Sequence, residues 1–60
     1  MSEFRNELLG RMIRIYGFES PLTIDFAWMC ERYPAGEAYD KTLRIVVECN
    51  EAHPYISDDE

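Results

Sequence analysis

The sequence predicts an all-α fold, a small bundle of three short helices at about residues 2–16, 21–33 and 37–52, followed by an acidic C-terminal tail. Three observations lead there. Apolar residues recur at helical spacing in each segment. Gly17, then Ser20-Pro21, then Pro34-Ala35-Gly36, then Pro54 cut the chain into three stretches of helical length. Nearly half the residues are apolar and eight are aromatic, too many for a disordered chain.

The first segment begins with Ser2 as N-cap and Glu3 at the positive end of the helix dipole. Phe4, Leu8, Met12 and Ile15 repeat at helical spacing, as do Leu9, Ile13 and Tyr16. Glu3, Glu7, Gly10, Arg11 and Arg14 take the other side. Gly17 stands where a left-handed residue ends a helix, with Phe18 expected to fold back on Ile13 in a Schellman arrangement.

The second segment starts on Ser20 and Pro21, an N-cap followed by proline at the first helical position. Leu22, Phe26, Met29, Cys30 and Tyr33 make one apolar stripe. Ile24 and Trp28 lie one turn apart on nearly the opposite side, beside Asp25, Glu31 and Arg32. A helix apolar on two faces either sits between two other elements or presents Trp28 outward.

In the third segment Glu37, Asp40, Lys41, Arg44, Glu48 and Glu51 share one arc, and Ala38, Tyr39, Leu43, Ile45, Val46, Val47 and Cys49 fill the rest. Glu37–Lys41 and Asp40–Arg44 have the supportive i,i+4 spacing. Asp40 is a second candidate N-cap, with residues 35–39 then a loop. An α+β alternative makes residues 42–49 a strand, because Leu43, Ile45, Val47 and Cys49 also alternate with polar residues. Such a strand lacks a partner within the chain and would need a second copy. In the tail, His53-Pro54 stops the helix, Tyr55 and Ile56 are expected to pack back on the core, and Asp58-Asp59-Glu60 ends the chain.

Sixty residues make a single domain, 1–60. Below about 70–80 residues a single core rarely supplies more than about 3–5 kcal/mol, so small domains often add a disulfide, a metal or a partner chain. No apolar run approaches the roughly 20 residues that cross a bilayer, and no secretory signal is read at the N-terminus. Cys30 and Cys49 are too few for a disulfide framework and read as reduced thiols in a cytoplasmic protein. The net charge of −6 divides into +1 over residues 1–18 and −7 over residues 19–60. That balance argues against nucleic acid and against anionic membranes.

Candidate chemistry is sparse. Cys30, Cys49 and His53 are the soft metal ligands, with Glu31 or Asp58 as a possible fourth, but a structural zinc site wants four Cys or His in close pairs. Packed thiols and a helix-terminal histidine account for them better, and no metal or other cofactor is expected. A cysteine with His53 also has the letters of a nucleophile–base pair, without any supporting motif. Gly10, Gly17 and Gly36 are isolated, so no phosphate loop is present. The first two segments have a helix-turn-helix outline, but the reading helix would offer Asp25, Glu31 and a single arginine, Arg32, to the groove. No catalysis is expected.

The remaining expectation is a small intracellular protein–protein interaction module, self-associating as a homodimer, with Ile24 and Trp28 as contacts flanked by Asp25 and Arg32. The alternative is an acidic inhibitor, imitating nucleic acid, that binds a basic protein.

Overall fold

The computed structural model describes residues 2–54. They form three helices, α1 (Glu3–Tyr16), α2 (Pro21–Arg32) and α3 (Glu37–Ala52). This is the expected all-α bundle, with α2 one residue shorter because Tyr33 is its extended C-cap. Among the described residues there is no strand, and the 42–49 alternative is overturned. A strand would bury Leu43, Ile45, Val47 and Cys49 together. Instead Leu43 and Val47, one helical turn apart, are buried, while Ile45 and Cys49 are exposed. The expected packing of Tyr55 and Ile56 and the Asp58-Asp59-Glu60 terminus lie outside the described residues.

Local chemistry sets each helix end. The Arg5 N–H donates to the Ser2 hydroxyl at 3.1 Å and the Leu22 N–H donates to the Ser20 hydroxyl at 3.2 Å, so both predicted N-caps form. α3 starts at Glu37 on an uncapped Gly36, with Asp40 inside the first turn. Asp40 is therefore not the N-cap. The Gly17 N–H closes α1 on the Ile13 carbonyl at 2.7 Å. Gly17 does not take the expected left-handed helical geometry. Its φ of 100° and ψ of 159° lie in an extended region with positive φ that is open essentially to glycine alone. The chain then turns between Gly17 and Ser20, whose N–H reaches the Gly17 carbonyl at 3.4 Å, and Phe18 stays 75% exposed instead of folding tightly onto Ile13.

α1 is the central element. It runs antiparallel to α2, with the Thr23 hydroxyl at 3.5 Å from the Met12 carbonyl, and parallel to α3, with Tyr16 donating to Asn50 at 2.7 Å. Each helix puts two side chains into the core: Leu8 and Met12, Phe26 and Cys30, Leu43 and Val47. Leu9, Ile15, Tyr16, Met29, Tyr33 and Val46 pack around them. The Tyr33 and Tyr39 rings meet at 5.4 Å across the α2–α3 connection.

One buried cation joins the three helices. Arg5 is only 5% exposed. Its Nη1 donates to the Cys30 and Tyr33 carbonyls, both at 2.8 Å, and its Nη2 to the Pro34 carbonyl at 3.0 Å. Its Nε donates to Asp40 Oδ1 at 2.7 Å. The last carbonyls of a helix lack partners within it. The Cys30 carbonyl would ordinarily accept from residue 34, but that residue is proline and has no N–H. Arg5 supplies the missing donor and places its charge at the negative end of the α2 dipole.

This grip overturns one expected pair. Asp40 is drawn to Arg5, and neither Asp40–Arg44 nor Glu37–Lys41 forms among the described residues. Arg44 instead approaches Glu48 at 3.8 Å. Arg11 holds Glu51 through two hydrogen bonds, at 2.7 and 2.6 Å, and this bonding keeps the Glu51 carboxyl below its ordinary range.

Two outcomes test this account. No atom lies within 4 Å of where a Cβ at Gly17 would stand, so Gly17→Ala carries a backbone cost alone. That cost is about 1–2 kcal/mol, a fall in Tm on the order of 5–15 °C for so small a domain, measurable by circular dichroism. Arg5→Met leaves the Asp40 carboxylate and three carbonyls without their donor. Because the Asp40 side chain is 35% exposed, the expected loss is about 2–4 kcal/mol. That rivals the whole stability of the domain, so thermal melts of Arg5→Met are expected to lose their cooperative transition.

Candidate interaction surface

The outward side of α2 carries the residues singled out from the sequence. The Ser20-Pro21 start sets the phase of the helix, so that Thr23, Phe26 and Cys30 turn inward. Ile24 and Trp28 then point away from the core, 55% and 56% exposed. Of the two arrangements open to a doubly apolar helix, the structure adopts the one that presents Trp28. The Arg32 guanidinium lies over the Trp28 ring, 4.5 Å from its centroid, a cation–π contact one turn along. Asp25 is exposed beside them. All four expected contact residues thus fall on one exposed side of one helix.

The structure adds a cleft that the sequence reading missed. Leu9 and Ile13 of α1 face Thr23, Ile24 and Ala27 of α2, and Phe18 and Glu19 from the connection complete a cavity of about 230 Å³. Its lining is apolar apart from Glu19 and the Thr23 hydroxyl. The extended Gly17 sends Phe18 out over this cleft, so Phe18 and Ile13 line the same space without packing tightly. Phe18, Ile24 and Trp28 are the three most exposed large apolar side chains among the described residues. The sequence signal was the odd chain position of Phe18, an aromatic directly after a helix-ending glycine.

A second cavity, of about 400 Å³, opens beside the buried arginine and is lined by Ser2, Arg5, Cys30, Glu31, Tyr33, Ala35 and Asp40. Its thiol, Cys30, is not activated. Burial pushes the Cys30 thiol up from its ordinary value, which the nearby Arg5 charge only partly offsets. Cys30 is thus held as a neutral thiol at neutral pH. His53 caps the far end of α3, about 20 Å along the helix from Asp40 by the standard rise.

The three soft ligands are not brought together. Cys30 is buried in the core, Cys49 is exposed on α3, and the His53 N–H bonds to the Cys49 carbonyl at 2.9 Å. Among the described residues no group of three or more His, Cys, Asp or Glu could hold a metal ion. No described helix is long and apolar enough to cross a membrane.

Comparison with family models, curated proteins and solved structures finds no match to this chain.

Because Trp28 is 56% exposed and lies outside the core cluster, Trp28→Ala is expected to cost about 1–2 kcal/mol in chemical denaturation, less than a core truncation, and to leave the fold intact. In the unmodified protein, acrylamide is expected to quench the indole emission readily. An indole shielded from the quencher, or a Trp28→Ala protein that unfolds, would contradict the placement.

Proposed function

We propose that this chain is a small protein-interaction module that does no chemistry of its own. It captures an amphipathic, basic segment of another protein on the α1–α2 surface. The observation that carries this reading is the exposure of Phe18 and Ile24 at one apolar cleft, with Trp28 exposed one helical turn beyond Ile24. Large apolar side chains gathered in a single patch are costly to leave in water and commonly mark an interaction site. Tryptophan is also prominent among the residues that dominate binding energy.

The charges around the patch choose the partner. Glu19, Asp25 and Glu31 surround it against the single cation Arg32, and the chain as a whole carries −6. A second copy docked on this surface would bring the same acidic surround against itself. A segment with an apolar stripe and a lysine- or arginine-rich edge suits both the cleft and its margin. The two unbonded cysteines, one of them exposed, fit a reducing compartment such as the cytoplasm.

Titration with a synthetic amphipathic peptide of leucine and lysine tests the reading. The indole emission is expected to shift to the blue on binding. A scrambled peptide of the same composition, and a leucine–glutamate peptide of the same pattern, should leave it unchanged. Phe18→Ser and Ile24→Ser are each expected to weaken binding about tenfold or more. Trp28→Ala, read from a dye on the peptide, is expected to weaken it about thirtyfold. Equal binding of all three peptides, or binding indifferent to Phe18, Ile24 and Trp28, would refute the proposal.

A further inference from the structure

Helix α3 bears a second uncovered face. Ala38, Thr42, Ile45, Cys49 and Ala52 are all exposed, and Ile45 keeps 45% of its surface. Their spacing runs four, three, four, three, the repeat by which one helix packs along another in a coiled coil. At about 100° per residue they fall opposite Leu43 and Val47, so neither α1 nor α2 reaches them. The most polar side chain of the set, Thr42, already donates its hydroxyl to the Ala38 carbonyl at 3.0 Å. Covering it therefore strands no unpaired donor. Cys49 packs as a small hydrophobe.

We propose that two copies of this chain associate through α3, helix against helix and antiparallel, about a twofold axis. The charges beside the seam decide the direction. Lys41 and Glu48 occupy equivalent places one repeat apart on the same edge, immediately before Thr42 and Cys49. In an antiparallel pair that edge faces its own counterpart. Setting Thr42 on the partner's Ile45 and Ala38 on the partner's Cys49 brings Lys41 to within about 3 Å, along the axis, of the partner's Glu48. Symmetry makes the pairing twice. A parallel pair would set Lys41 beside Val46 and bring the two Cys49 thiols face to face. Lys41 makes no ion pair within its own chain among the described residues, and Glu48 has the 3.8 Å approach of Arg44 and a longer-range attraction to Arg11 but no close, well-formed pair. Both charges are thus available. The side chains of the seam are mostly small, so the contact lies at the low end of specific interfaces and the dimer dissociates on dilution. This surface is separate from the Trp28 patch, and either stands if the other fails.

Sedimentation equilibrium of the full chain, carried to about 1 mM, reads the association. The expected result is a reversible monomer–dimer equilibrium that Ile45→Lys abolishes, with helical content unchanged by circular dichroism. Lys41→Glu alone and Glu48→Lys alone are each expected to weaken the dimer severalfold, and the double variant to restore it. This arm decides the matter should Ile45→Lys fail to fold. For direction, Ala38→Cys treated with oxidised glutathione is expected to give a disulfide-linked dimer with the native Cys49 of a second copy, while the unmodified chain gives none. A monomer throughout the concentration range would overturn the proposal. So would a dimer indifferent to Ile45→Lys, a cross-link through Cys49 in the unmodified chain, or a dimer dispersed by Trp28→Ala alone.

Discussion

The buried guanidinium of Arg5 is the interaction on which the rest of the structure depends. α1 packs on both neighbours, while α2 and α3 meet each other mainly at the core and at the connection between them. Arg5 reaches from the first turn of α1 to the last carbonyls of α2, to the Pro34 carbonyl and to Asp40 near the start of α3. A buried charge is tolerated when it is paired and hydrogen-bonded, and Arg5 has an ion-pair partner and a hydrogen bond from each of its three nitrogens. No buried side-chain nitrogen or oxygen among the described residues is left without a partner. Proline at position 34 is tied to this arrangement. By removing a backbone donor it leaves the Cys30 carbonyl open, and a cation from another helix fills the vacancy.

A core of two side chains per helix has a consequence at the surface. With only three helices, each contributes one narrow stripe to the interior, flanked by partly buried residues such as Leu9, Met29 and Val46, and apolar residues on the far side of a helix are left outside. α2 leaves out Ile24 and Trp28, and α3 leaves out Ile45 and Cys49. These residues add little to the stability of a single copy, since their removal from water requires another chain. The two exposed faces differ in their charges. Acidic residues surround the α2 patch with little compensation, the feature on which the proposal of a basic partner rests. The α3 seam carries one cation and one anion on the same edge, which makes it complementary to itself when reversed. Under the two proposals, separate faces would let one small domain pair with its own copy and still hold another protein.

Much of this was legible in the residues. Ser2 and Ser20-Pro21 marked the starts of α1 and α2 because capping is a local matter of one side chain and the next few N–H groups. The two-faced pattern of α2 exposed the Ile24–Trp28 pair, because helical phase follows directly from spacing. Arg5 stayed hidden. Charge reasoning places an arginine in water, and only the approach of three separate segments creates the pocket that wants it. The fate of Asp40 followed from the same blindness. Local spacing assigned it to Arg44, and a stronger donor from thirty-five residues away took it. The α1–α2 cleft was out of reach too, because its depth depends on a single glycine taking a positive φ with an extended ψ.

The amino-acid order alone determined the three helices, the N-caps of α1 and α2 and the phase of each apolar stripe, because these follow from interactions within a few residues. It also determined the acidic balance that argues against nucleic acid. Tertiary structure alone decided which of two apolar faces each helix buries, where Phe18 points, and that the one fully gripped charge is Arg5. The physical reason is the same in each case. Burial and hydrogen bonding between segments depend on which surfaces meet in space, and spacing along the chain does not encode that meeting.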